Sequence, residues 1–313
     1  MRALALVVNP SAGHGRGRRL TAAIEQRLGD AGLRTTLTLA GSPDHARDAC
    51  AEAVAAGVDG LVVVGGDGMA HIGLNACART EVPLGVIPAG TGNDFVRGVG
   101  LAAPAPGRAR DRRPGWQRAT DAIVAGGVRS IDLAEVRGDL HRGTLEYVGC
   151  VVSTGYDEKV NARANNATVD LGHLSYVGAV LAEMRSFAPL RYRIEVDGTT
   201  RELDAILVAV ANSGIFGGGI RIAPDYDLTD GLLNVVIVHP VALGTLVRFL
   251  PHLATGRPFD HPAIERLRVR RIVVDGDDLH GMADGEPLGD VPLTVSAAPA
   301  ALRIYAPEVP RAH

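Results

Sequence analysis

Residues 61–68 read Leu61-Val62-Val63-Val64-Gly65-Gly66-Asp67-Gly68. The apolar run shows no polar alternation, the pattern of a short parallel strand covered on both faces. It stops at two glycines. A strand that ends this way and hands over to a helix leaves backbone N–H groups aimed at one spot, and such a spot binds anions, phosphate above all. The same break recurs on either side. Asn9-Pro10-Ser11-Ala12-Gly13 follows the apolar run from Ala3 to Val8, and Pro88-Ala89-Gly90-Thr91-Gly92-Asn93-Asp94 follows Leu84 to Ile87. A fourth break, Phe216-Gly217-Gly218-Gly219, comes after the run from Ala205 to Val210. Three such turns between residues 9 and 94 point to a chain built around a polyphosphate.

Around these turns, residues 1–130 alternate strand and helix patterns. Leu20, Ile24 and Leu28 recur at helical spacing over residues 18–31, closed by Gly32. Residues 35–39 are β-branched and strand-like. Ser42-Pro43-Asp44 then opens a helix, with Ser42 as N-cap and Pro43 at the first position. Residues 72–78 read as helix. This is a doubly wound α/β pattern, in which ligands sit beyond the carboxyl ends of the strands. The breaks at residues 9, 65 and 88 fall at those ends.

From Ser130 the texture changes. Apolar runs over 131–136, 145–152, 191–196, 205–210, 232–238 and 268–274 are separated by turn residues, which predicts a β-rich antiparallel domain over 131–296. Helices are expected at 174–187 and 242–253, and a last strand within about 297–313 is expected to return to the first domain. The stripe Leu174, Val177, Leu181, Met184 reads as core, with a wall for a lipid as the other reading. Arg108, Arg110, Arg112 and Arg113 read as a solvated loop, with phosphate or membrane-surface binding as the alternative.

The bulk properties narrow the field. The chain has 313 residues and a net charge of -3, enough for two cores and too little positive charge for nucleic acid. Lys159 is its only lysine. Three cysteines without paired spacing (Cys50, Cys77, Cys150) indicate neither a disulfide framework nor a zinc site. No signal peptide is evident, and no apolar stretch nears the ~18 residues that span a bilayer. A cytoplasmic protein is expected, touching the inner membrane face peripherally if at all; the oligomeric state is left open, a homodimer included.

Asp67 carries the chemical argument. A carboxylate inside an anion-binding turn is unfavourable unless a metal or a transferring proton sits there too, and a Mg2+-nucleotide supplies the metal. Thr91 and Asn93 add donors beside Gly90 and Gly92, and Asp94 suits a helix cap. Arg16, Arg18 and Arg19 could reach phosphates or lie on a solvated helix start. Asp225, Asp227 and Asp230 read as an acidic turn, and Asp284-Gly285 as a two-residue hairpin turn. His71 reads as a surface or helix-start residue.

In this order the motifs resemble the diacylglycerol kinase catalytic domain family, the soluble bacterial lipid kinases related to sphingosine and ceramide kinases. Its pattern is met by Asn9-Pro10 with Gly13, Gly65-Gly66-Asp67-Gly68, Gly90-Thr91-Gly92-Asn93-Asp94-Phe95, Phe216-Gly217-Gly218-Gly219, Asp230-Gly231-Leu232-Leu233 and Asp284-Gly285-Glu286. The resemblance implies an N-terminal nucleotide-binding domain like that of NAD kinases and phosphofructokinases, a β-rich C-terminal domain, and an active site in the interdomain cleft. It implies ATP as donor, held by Asn9, Pro10, Ser11, Ala12, Gly13, Gly65, Gly66, Asp67, Gly68, Met69, Gly90, Thr91, Gly92 and Asn93. Asp67 and Glu286 become the catalytic pair, with Glu286 the base that takes the proton of the lipid hydroxyl. A structural Mg2+ is implied at the Asp230 carboxylate and the carbonyls of Asp227 and Leu232. The acceptor would be diacylglycerol at the membrane surface.

Three positions depart from the family pattern. Met69 stands where threonine is usual after the Gly-Gly-Asp-Gly turn, Ile72 lies nearest a usual glutamate, and Ala40 replaces a usual threonine after the second strand. The alternatives are a NAD kinase-like or other small-molecule kinase, and a catalytically weak nucleotide-binding regulator.

Overall fold

The computed structural model describes residues 2–101, 113–155, 189–242, 244–245, 252 and 261–306. The arginines at 108, 110 and 112, the stripe at 174–184 with its helix, and all but a few positions of the helix expected at 242–253 lie outside them. The chain folds as two compact units, one of residues 1–132 with 299–313, the other of residues 133–298.

In the first unit β1 (Ala3–Val8), α1 (Ala12–Asp30), β2 (Arg34–Leu39), α2 (Pro43–Ala55), β3 (Gly60–Gly65), α3 (Asp67–Cys77), β4 (Leu84–Pro88), α4 (Asp94–Gly98) and α5 (Gly115–Ala125) follow one another. β1 pairs with β2 and β3, and β3 with β4, all parallel. The last strand of the chain joins in parallel, with Ile304 opposite Leu84. All six residues of β3 are buried. β2 has β1 as its neighbour and leaves Leu37 and Leu39 exposed, as an edge does. Leu6, Val8, Val62, Val64 and Ile87 meet Ile24 and Leu28 of α1 and Ile123 of α5 in one core. Each such fully buried side chain contributes about 1.5–3 kcal/mol.

The helix termini follow local chemistry. Ser42 Oγ accepts the His45 amide at 3.2 Å, with Pro43 in the first position of α2. α5 ends at Gly126 in the left-handed region. α1 starts earlier than its apolar spacing indicates, and it contains three left-handed residues, Gly13, His14 and Gly15, before it becomes regular.

β5 (Val128–Leu140) leads into the second unit. There follow β6 (Gly143–Val148), β7 (Val151–Gly155), β8 (Leu190–Val196), β9 (Thr199–Ala205), β10 (Leu207–Ala211), β11 (Ile215–Phe216), β12 (Ile220–Arg221), β13 (Leu233–Val238), β14 (Ile264–Val269), β15 (Arg271–Gly276), β16 (His280–Ala283) and β17 (Glu286–Tyr305). One antiparallel run is β14-β13-β10-β7-β16-β17, and a second is β9-β8-β15-β17. Both feed one core: Val208, Val210, Val235 and Ile237 from the first, Tyr192, Ile194, Ile272 and Val274 from the second. The unit is β-rich and antiparallel, and the first is α/β.

Candidate functional site

The three glycine turns of the first unit are bound to one another through main chain. The Asn9 amide donates to Val64 O at 3.0 Å, tying the first turn to the end of β3. Asn9 Oδ1 accepts the Ser11 amide at 2.9 Å and so shapes the turn from within. Gly13 lies against the end of β4 so tightly that a Cβ would stand 2.0 Å from Ala89 O. Gly65 O accepts the amides of both Ala89, at 2.8 Å, and Gly90, at 3.2 Å. A Cβ on Gly90 would come within 2.5 Å of Gly66 Cα. Side chains at these positions would push the turns apart.

Around this knot the side chains have assigned partners. Asn93 is left-handed; its Oδ1 accepts the Gly90 amide at 3.1 Å and its Nδ2 donates to Gly90 O at 2.8 Å. Asp67, the first residue of α3, accepts the Phe95 amide on Oδ1 at 3.2 Å and so caps α4 from another loop. Gly68 and Thr91 are exposed. The positive end of the α3 dipole and the N–H groups of its first turn lie at Gly66.

The departures from the usual pattern turn out to be packed positions. Met69 is buried, and its Cβ and Cγ occupy the space a Cβ on Gly65 would need, at 2.6 and 2.4 Å. Ile72 and Ala40 are buried as well. His71 is buried, which corrects its reading as a surface residue: α3 packs on the sheet and on α2, leaving few of its positions wet. The His71 ring nitrogen Nε2 lies 3.3 Å from Asn75 Nδ2, which also donates to His71 O at 3.0 Å.

In the second unit Asp284 and Gly285 form the two-residue turn between β16 and β17, both at positive φ, 51° and 88°. That is the type I′ geometry for which Asp-Gly is suited. The Asp284 carboxylate accepts three successive amides, from Gly149 at 3.3 Å, Cys150 at 2.9 Å and Val151 at 3.0 Å. Buried Asn212 supports the same turn, donating from Nδ2 to Gly149 O at 3.0 Å. Glu286, the first residue of β17, emerges exposed from this braced turn. Sequence reasoning placed Asp284 in the hairpin turn but gave no part to its carboxylate contacts, to Asn212 or to the 149–151 turn. Gly217, Gly218 and Gly219 stand in succession at φ 60°, 80° and 115°, a run only glycine adopts readily, in the turn between β11 and β12.

Asp227 Oδ1 accepts the amide and hydroxyl of Thr229, at 2.9 and 2.7 Å. Asp230 Oδ1 accepts the Leu232 amide at 2.8 Å, and its Oδ2 is ion-paired with Arg268. The carboxylate and main-chain carbonyls of this turn are hard oxygen donors of the kind Mg2+ takes. Arg268 is a competing cation at the same carboxylate.

Comparison with known proteins places the chain. Residues 3–136 match the diacylglycerol kinase catalytic domain, and residues 150–306 match the YegS C-terminal NAD kinase beta sandwich-like domain. The chain belongs to the diacylglycerol kinase and YegS lipid kinase family. It is 33% identical over 302 residues to a diacylglycerol kinase of Mycobacterium tuberculosis (strain ATCC 25618 / H37Rv), spanning 96% of this chain and 94% of that protein. A diacylglycerol kinase of Bacillus subtilis (strain 168) is 26% identical over 93% of this chain and 92% of its own. The solved structure of a diacylglycerol kinase from Bacillus anthracis str. Sterne shares the fold, with a TM-score of 0.69, 21% identity and coverage of 98% and 97%.

Proposed function

We propose that this lipid kinase uses ATP and Mg2+ to phosphorylate the primary hydroxyl of diacylglycerol, giving phosphatidic acid. The observation that carries the reading is the main-chain knot of the turns at 9–13, 65–68 and 88–93, with the Asp67 carboxylate at the start of α3. Backbone amides of Gly13, Gly66, Gly68, Met69, Thr91 and Gly92 are the phosphate donors in this reading, while Asn9, Pro10, Ser11, Ala12, Gly65, Gly90 and Asn93 shape the turns, the amides of Asn9, Ser11, Ala12 and Gly90 being bonded within the knot. Met69 takes part through its N–H, since its side chain packs on Gly65. When bound, Mg2+-ATP supplies the electrophilic γ-phosphate and offsets its charge. Asp67 would hold that cation. Glu286 takes the proton of the acceptor hydroxyl as its oxygen bonds to the γ-phosphorus and ADP leaves. Asp230, with the carbonyls of Asp227 and Leu232, would hold a structural Mg2+.

A lipid acceptor requires peripheral contact at the cytoplasmic membrane face; among the described residues no helix is long and apolar enough to cross. The inward packing of Met69 and Ile72, which leaves no side-chain donor there, favours a second reading, a nucleotide-binding regulator without turnover. The deciding experiment incubates the protein with γ-labelled ATP and a total lipid extract, diacylglycerol vesicles or NAD in parallel. Label in phosphatidic acid supports the proposal. Label in NAD, or bound nucleotide with no labelled product, refutes it.

A further inference from the structure

We propose that the open edge of β2 docks a second copy of this chain, the two strands running antiparallel about a two-fold axis at Leu37. The pairing involves neither nucleotide nor acceptor. Among the described residues β2 pairs with β1 alone, through every position from Arg34 to Leu39 and without a bulge. The amides of Arg34 and of Ala40, just past the strand, donate to Arg2 O and Val8 O at 3.0 and 2.8 Å. Successive residues of a strand turn their main-chain groups to opposite sides. The even-numbered residues therefore address β1, while Thr35, Leu37 and Leu39 turn N–H and C=O to the open edge.

Natural edge strands are blunted by lysine, proline, inward-pointing charge or a bulge. β2, reading Arg34-Thr35-Thr36-Leu37-Thr38-Leu39, has a single charge at its start and no proline. Leu37 and Leu39 are 37% and 45% exposed, two of the three large apolar side chains that stand out among the described residues. They lie opposite Leu6 and Val8, which pack against α1 and α5, so they continue that apolar face past its cover. Only another strand supplies donors and acceptors at the spacing of this edge. Its own copy fits in one register. With Leu37 opposite Leu37 of the second copy, Thr35 stands opposite Leu39, and every outward N–H and C=O of these residues has a partner across the axis. Opposite residues of antiparallel strands project to the same face, so the leucines of both copies close into one apolar patch. A shift by one residue would set outward groups against inward ones. The two copies of Arg34 stand about 20 Å apart in this register, well past the ~8 Å over which salt screens exposed charges.

One strand pair buries a small area, which predicts a reversible dimer with a dissociation constant of about 1–100 µM. Sedimentation of the full-length protein over about 1–300 µM, without nucleotide or lipid, should show it. In the Leu37→Lys, Leu39→Lys double variant like charges meet across the axis, and association should weaken at least about tenfold. Leu37→Pro removes an outward N–H and no bond to β1, and it should weaken association comparably. Both positions are exposed, so the far-UV circular dichroism of the variants should match the parent. A parent that stays monomeric over this range overturns the proposal, and so does a dimer that both variants keep. If that monomer floats with vesicles of phosphatidylglycerol in phosphatidylcholine and the lysine variant does not, the leucines serve a lipid surface instead of a second copy.

Discussion

Asp67 is an architectural residue as well as the proposed partner of a metal-bound phosphate. Its Oδ1 holds the Phe95 amide, so replacing it removes a helix cap together with a charge. Two substitutions separate these roles. Asp67→Asn keeps an Oδ1 acceptor and should leave the melting temperature near that of the parent while phosphotransfer falls by at least about a hundredfold. Asp67→Ala should lose activity and also about 0.5–2 kcal/mol of stability, read by denaturant unfolding. If Asp67→Asn retains full turnover, the carboxylate is structural alone. Residues such as Met69 and His71 show why single positions resist reading from sequence. Both sit in a run of buried residues from Met69 to Leu74, and burial on two sides of α3 is a tertiary fact that a polar or flexible side chain does not announce.

Among the elements, the β16–β17 hairpin links a readable signal to an unreadable one. Asp-Gly announces the turn; the three amides that Asp284 accepts come from residues 149–151, more than 130 positions away, and no local pattern reveals them. Asp284→Ala leaves those amides unpaired and should cost about 2–4 kcal/mol, with kcat falling further than KM rises as Glu286 loses its support. Denaturant unfolding and steady-state assays check both parts. A second link joins β9, β14 and His239, the residue after β13. Burial disfavours ionised Glu265, yet its hydrogen bonds from Arg201 and His239 prevail and hold its carboxyl below the usual range. A group whose folded value is depressed stabilises above its unfolded value, about 4.3, and loses that contribution as pH falls through the folded one. Between pH 6 and pH 3 the parent should therefore lose more stability than Glu265→Gln, as thermal melts would show.

At the level of the whole molecule, the α/β and β-rich halves were legible because their signals are periodic. Apolar runs that lead into glycine-bearing turns mark β1, β3 and β4, and short runs between turns mark the antiparallel strands. What periodicity cannot carry is the left-handed stretch of residues 13–15, imposed by the contact of Gly13 with Ala89, or the support of Glu286 by Asp284 and Asn212. The most direct test of the proposed chemistry compares Glu286→Gln with the parent for ATP binding and for transfer of label from γ-labelled ATP to diacylglycerol vesicles. ATP affinity should stay within about threefold while turnover drops by about 10²–10⁴. Undiminished turnover in Glu286→Gln would contradict the account.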